Sequence, residues 1–233
     1  MKPTAILFDL DGTLLPMDLD VFVKDYFSRL AAHMAKRGYA PDRLINAVWQ
    51  GTRAMIANNG EATNEARFWD SFAREFGEAV RDEEPYLNEF YINEFDKASA
   101  SVGRLDEAGT AIKELKARGY RLILATNPIF PRIATEKRTA WAGIDISDFE
   151  LVTTYENSRY TKPNLDYYRD ILATSGLSAD ECVMVGNDVD EDMIAAELGM
   201  DTFLLPLCLI NKKDADVSQY RSGTLADLLE YLD

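Results

Sequence analysis

The stretch Ala5-Ile6-Leu7-Phe8-Asp9-Leu10-Asp11-Gly12-Thr13 restricts what this chain can be more than any other. Its apolar run reads as a buried strand, yet it ends in two carboxylates one residue apart, where neutral turn residues are usual. Side chains two apart on an extended chain share a side, so Asp9 and Asp11 project together from the strand's carboxyl end. Left alone they repel. A hard divalent cation relieves this, and magnesium in particular takes one or two carboxylates together with phosphate and water. Gly12 lets the backbone turn close to a ligand, and Thr13 adds a hydroxyl. Read blandly, the same residues are an Asp-Gly turn after a strand, and the pentapeptide by itself does not separate the two readings.

After Pro16 the apolar period changes from strand to helix for about eighty residues. Leu19, Phe22, Val23, Tyr26, Phe27, Leu30 and Met34 follow helical spacing, with Gly38 as the stop. A second helix follows Pro41. A third carries Phe68, Trp69, Phe72 and Phe76 up to Gly77, and a fourth begins near Pro85. Four amphipathic helices with short turns predict a small bundle, and the aromatic stripe reads as its core rather than a cofactor box. His33, the only histidine, lies in the first helix with no motif around it, so a packing role is expected.

From Leu105 onward, helix and strand alternate. Strands are expected at Arg121 to Ala125, Glu150 to Thr153, Cys182 to Val185 and Asp201 to Leu205, with a helix opened by Lys162-Pro163. Strands separated by helices imply a doubly wound parallel sheet with helices on both faces, an α/β fold. Such sheets bind ligands beyond the carboxyl ends of their strands. The polar residues fall there: Asp9 and Asp11, Thr126 and Asn127, and the acidic turn with Asn187, Asp188 and Asp192, while Lys162 precedes a helix. Thr-Asn-Pro alone is usually a turn and Lys-Pro a helix entrance. Together, carboxylates for a cation, a hydroxyl and amide for anionic oxygens, and a lysine for charge compose a phosphoryl-transfer site.

With these residues in order, the chain resembles the haloacid dehalogenase superfamily. Its Asp-x-Asp-x-Thr motif matches Asp9 to Thr13, its second-motif Thr or Ser matches Thr126, its lysine matches Lys162, and its acidic turn matches Asn187 to Asp192. The resemblance implies a Rossmann-like catalytic core over residues 1–15 and 98–233 and a helical cap domain over residues 16–97. It implies Asp9 as the nucleophile that becomes an aspartyl phosphate, and Asp11 as acid and then base, with its backbone carbonyl joining Asp9 on Mg2+. Thr126 would hold phosphoryl oxygens and Lys162 would neutralise charge, with Gly12, Thr13 and Asn127 beside the substrate. The metal end would comprise Asp9, Asp11, Asn187, Asp188 and Asp192. Asn187 departs from the aspartate that many members carry, so either Asn187 or Asp188 is the direct ligand, and Asp192 anchors a water or Lys162. The implied activity is a magnesium-dependent phosphatase acting on a small phosphorylated metabolite. Its rivals are a phosphomutase, a phosphonatase using a cap lysine such as Lys24 or Lys36, a dehalogenase, and a catalytically silent protein of the same fold.

Composition narrows the partners. The 233 residues carry 25 basic and 40 acidic side chains, net −15, with no basic run, so nucleic acid is not expected as a partner. No apolar run reaches about 18 residues and no signal peptide precedes the first strand, which predicts a soluble, cytoplasmic protein without membrane contact. Cys182 and Cys208, both in apolar strand-like runs, are expected as two buried thiols.

Overall fold

The structure is a computed structural model that describes residues 3–233. Six parallel strands form one sheet in the order β3-β2-β1-β4-β5-β6. They are β1 (Ala5–Phe8), β2 (Arg121–Leu124), β3 (Leu151–Val152), β4 (Cys182–Gly186), β5 (Asp201–Leu204) and β6 (Arg221–Ser222). β1 is central because it is apolar throughout: Ala5, Ile6, Leu7 and Phe8 are all fully buried, as a strand covered on both faces requires. Its alternation splits the core. Ile6 and Phe8 pack with α5 (Ala108–Ala117) and α8 (Leu225–Tyr231), whereas Ala5 and Leu7 pack with α7 (Leu165–Ser175). Each large apolar side chain buried in this way contributes roughly 1.5–3 kcal/mol. In-register pairing of Phe8 with Leu124 and with Val185 brings the ends of β2 and β4 level with Asp9.

Between β1 and β2 run four helices, α1 (Leu19–Ala35), α2 (Pro41–Ile56), α3 (Asn64–Phe76) and α4 (Glu84–Asn93), with 3-10 turns at Glu78–Glu83 and Phe95–Ser101. Local chemistry sets their ends. Asp18 accepts the Asp20 and Val21 amides at the start of α1, Thr63 accepts Ala66 N at the start of α3, and Gly77 with φ 86° stops α3. Phe22, Leu30, Met34, Leu44, Phe72 and Phe90 form their common core, and Ala134 of α6 (Arg132–Trp141) reaches into it. His33 packs there as expected, its Nε2 3.0 Å from the Tyr86 carbonyl oxygen and its ring stacked on Tyr86. The chain enters and leaves this segment side by side: Met17 bridges Val102, and Gly103 N donates to Pro16 O at 2.6 Å.

Two local expectations differ from the structure, and one strand was not expected. The helix read as opening at Lys162-Pro163 begins at Leu165, because Asn164 caps it by accepting Asp166 N and leaves Pro163 in the preceding turn. Cys208 is not in a strand. β5 stops at Leu204, Pro206 cannot continue the ladder, and Cys208 ends a half-exposed 3-10 turn while Cys182 is buried. The edge strand β6 carries Arg221 and Ser222, both exposed, and has no apolar pattern to announce it. No helix among the described residues is long and apolar enough to cross a membrane.

Candidate active site

The carboxyl ends of β1, β2 and β4 converge on Asp9. Its amide bonds Val185 O, and the side chain, 7% exposed, is fixed from two sides. Lys162 Nζ donates to Oδ1 at 2.9 Å, and Thr13 Oγ1 lies 3.1 Å from Oδ2. The same Thr13 oxygen is 2.8 Å from Asn187 Oδ1, which ties the β1 turn to the β4 turn. Gly12 is required between them. Its φ of +88° is left-handed, and a Cβ would stand 2.5 Å from Asn187 Nδ2.

Lys162, 2% exposed, also donates to Asp192 Oδ1 at 2.6 Å. Burial alone would lower its pKa, but Asp192 and then Asp9 carry it well above the ordinary value, so the ammonium keeps its proton. Asp192 Oδ2 accepts the amides of Asn187 and Asp188, both at 3.0 Å. Burial raises the Asp192 carboxyl against the pull of Lys162. Between the two partners the lysine's charge is the firmer assignment, since it faces two carboxylates. Gly186 makes this turn possible, because a Cβ there would overlap the Asp192 carboxylate.

The remaining expected residues gather around this pair. Thr126 is 1% exposed, and its carbonyl accepts Tyr167 Oη at 2.9 Å and Thr153 Oγ1 at 2.7 Å, which fixes the end of β2. Asn127 gives its amide to Glu191 Oε2 at 2.9 Å and keeps a buried Oδ1 without a partner among the described residues. Asp188 Oδ1 accepts the amides of Asp190 and Glu191. Asn187 spends its amide nitrogen on Cys208 O at 2.6 Å.

Arg138, which the sequence reading did not single out, joins them. It lies on α6 with a side chain 1% exposed, stacks 4.3 Å over Phe130, and donates to Asp11 Oδ2 and Thr135 Oγ1. The available signal was its spacing: Ala134, Arg138 and Ala142 are four apart, so a charge falls on the small-residue face that α6 buries. Asp11 Oδ1 has no hydrogen-bond partner among the described residues. Burial raises the Asp11 carboxyl, Arg138 lowers it and Asp9 raises it, and the net direction is upward.

Asp9, Asp11, Thr126, Asn187, Asp188 and Asp192 line one end of a cavity of about 1010 Å³ whose other end lies among α1 to α4. Among the described residues no three His, Cys, Asp or Glu side chains form a metal-binding cluster. The oxygens at this end that could meet a cation are those of the Asp9 carboxylate, the Asp11 backbone carbonyl and the Asp188 carboxylate, with Asn187 a neutral amide beside them. That suits magnesium, which needs only one or two carboxylates beside phosphate and water.

Comparison with known proteins identifies the family. The profile of the haloacid dehalogenase-like hydrolases matches residues 3–199. A glyceraldehyde 3-phosphate phosphatase of Methanocaldococcus jannaschii is 35% identical over 124 residues, 52% of each chain. The chain thus spans about half the length of that relative. A second glyceraldehyde 3-phosphate phosphatase, from Methanothermobacter thermautotrophicus, is 26% identical over 86% of this chain and 84% of its own. A hydrolase of Bacillus subtilis solved bound to magnesium shares the fold at a TM-score of 0.57 with 18% identity, covering 100% of this chain and 99% of that one.

Proposed function

This chain belongs to the haloacid dehalogenase-like hydrolase family, and from that premise we propose that it is a magnesium-dependent phosphatase working through a phosphorylated Asp9. In this reading residues 1–15 and 98–233 are the catalytic core and residues 16–97 a cap that closes over small phosphorylated substrates. The observation that carries it is Lys162 held between Asp9 and Asp192. A carboxylate approaching a phosphate dianion meets strong repulsion, and a buried, permanently charged lysine on the attacking group is what that step requires. Magnesium, when bound, would add a second positive charge on the phosphoryl oxygens.

Each remaining residue then has a task. Asp9 attacks phosphorus, the bond to the leaving oxygen breaks, and that oxygen takes a proton from Asp11. Water then attacks the aspartyl phosphate, gives its proton to Asp11, and releases phosphate and free Asp9. Arg138 holds Asp11 Oδ2 and so leaves Oδ1, which has no partner among the described residues, for the proton. Thr126, Asn127, Gly12 and Thr13 border the phosphoryl group. Of the two residues left open for the metal, Asp188 is the better ligand. Asn187 is bonded through both side-chain ends, whereas Asp188 commits only Oδ1. Asp192, with both oxygens taken, anchors Lys162 instead of meeting the cation.

The test separates the two aspartates. With an activated phosphate ester, Asp11→Asn should slow hydrolysis by about 10²–10⁴-fold and accumulate a phosphoryl adduct, seen by intact mass. Asp9→Asn should give neither turnover nor adduct. An adduct on Asp9→Asn would remove Asp9 as the nucleophile.

A further inference from the structure

The cavity says more about the leaving group than about the phosphate. At about 1010 Å³ it stands at the upper end of ligand-pocket sizes, far more than a three-carbon phosphate fills. The half away from Asp9 is walled by Phe22, Tyr26, Val48, Trp49, Phe68 and Leu87 from all four helices. Among the described residues Lys212 is the one cation lining the cavity, and it is exposed on the side of the core. The helical wall offers carboxylates instead, Asp18, Asp20 and Glu84. The two buried cations near the site are already committed, Lys162 to Asp9 and Asp192 and Arg138 to Asp11.

A substrate carrying a carboxylate or second phosphate on its leaving group would therefore bury that charge against aromatic rings with no counterion, at a large cost. A small neutral alcohol would leave most of the apolar wall wet. Neutral polar side chains on that wall are paired among themselves, Tyr26 with Tyr91 at 2.9 Å between hydroxyls and Tyr155 with the Trp69 indole. We infer that the preferred substrate is the phosphate monoester of a bulky, uncharged, mainly apolar alcohol. This rests on the phosphatase reading above and names the substrate class of that same site.

The experiment uses n-alkyl phosphates from two to eight carbons, whose leaving groups are chemically alike, beside ω-carboxyalkyl phosphates of equal length and glyceraldehyde 3-phosphate. Burial of one methylene predicts a roughly three- to four-fold rise in kcat/KM per carbon. The ω-carboxyl analogue of the longest ester should fall at least about a hundredfold below its parent. Trp49→Lys, at a position 40% exposed and so compatible with folding, should flatten the alkyl series and narrow the gap to the carboxylated esters. A flat series in the unmodified protein, or preference for the carboxylated esters or glyceraldehyde 3-phosphate, overturns the substrate class and leaves the phosphatase reading standing. No hydrolysis of any ester, with no adduct on Asp11→Asn, overturns both.

Discussion

At the scale of single residues, the contact that most alters the reading of the first motif is Arg138 on Asp11. Arg138 is buried while the Asp11 side chain is 22% exposed, so losing either partner costs less than the about 3–5 kcal/mol of a fully buried ion pair. Arg138→Gln and Asp11→Asn are each expected to destabilise the fold, but the double variant should cost less than their sum by about 0.5–3 kcal/mol in urea unfolding. Additive losses would show that the two side chains do not support each other. Metal dependence also belongs here. Excess chelator should abolish activity, and Asp188→Ala should raise the magnesium needed for half-maximal rate at least about tenfold, well beyond the effect of Asn187→Ala. The reverse order would make Asn187 the ligand. Asp9, Asp11 and Thr126 were readable in the sequence because each interrupts or follows an apolar run, and Lys162 because it precedes a proline. Arg138 was not, because α6 also carries Arg132, Glu136 and Lys137. Which of these charges turns inward depends on the rotation of the helix against its neighbours, and helical period alone gives that only once the buried face is known.

At the scale of elements, the close approach of α2 to α3 is set by Gly51. A Cβ at this position would overlap the Phe68 ring, which itself stacks on Phe72 with centroids 5.4 Å apart. Alanine in a helix interior gains roughly 0.8–1.0 kcal/mol over glycine, while overpacking costs about 1–3 kcal/mol. Gly51→Ala is therefore expected to lower stability slightly, by thermal or denaturant melting, although it improves helix propensity. A gain in stability would mean that Phe68 swings into the cavity at no cost. Helices and strands with a clear period, such as α1 and β1, were legible to within a few residues. What escaped had no period to read. The 3-10 turns after α3 and α4 follow from packing, β6 is two exposed residues on a sheet edge, and Cys208 sits in an apolar run that Pro206 breaks. The approach of α2 to α3 was invisible for a related reason: a glycine within a helix announces close packing only when the neighbour is known.

At the scale of the whole molecule, the four-helix segment is joined to the sheet at more than its two chain crossings. Asn64, fully buried at the start of α3, donates to Pro128 O at 3.1 Å and Tyr160 O at 3.2 Å and accepts Asn58 Nδ2 at 2.9 Å. Its amide bonds Ser158 O, and the Glu65 amide bonds Tyr155 O. These contacts lie away from the paired strands at residues 16–17 and 102–103, so a hinge at the crossings opens the cavity only if the Asn64 cluster parts first. Each neutral bond is worth about 0.5–1.5 kcal/mol net, and an orphaned buried carbonyl costs about 1–3 kcal/mol. Asn64→Ala should thus weaken the latch by a few kcal/mol, comparable to an opening equilibrium but below the stability of a whole domain. Hydrogen exchange gives the discriminating measurement. Protection of the Glu65 amide should fall by about one to two powers of ten while that of Leu7 in β1 falls much less. If opening precedes product release, kcat should rise together with KM as the bound state becomes easier to leave. Equal loss of protection at Glu65 and Leu7 would show that the segment does not part from the sheet on its own, and that Asn64 only stabilises the fold as a unit.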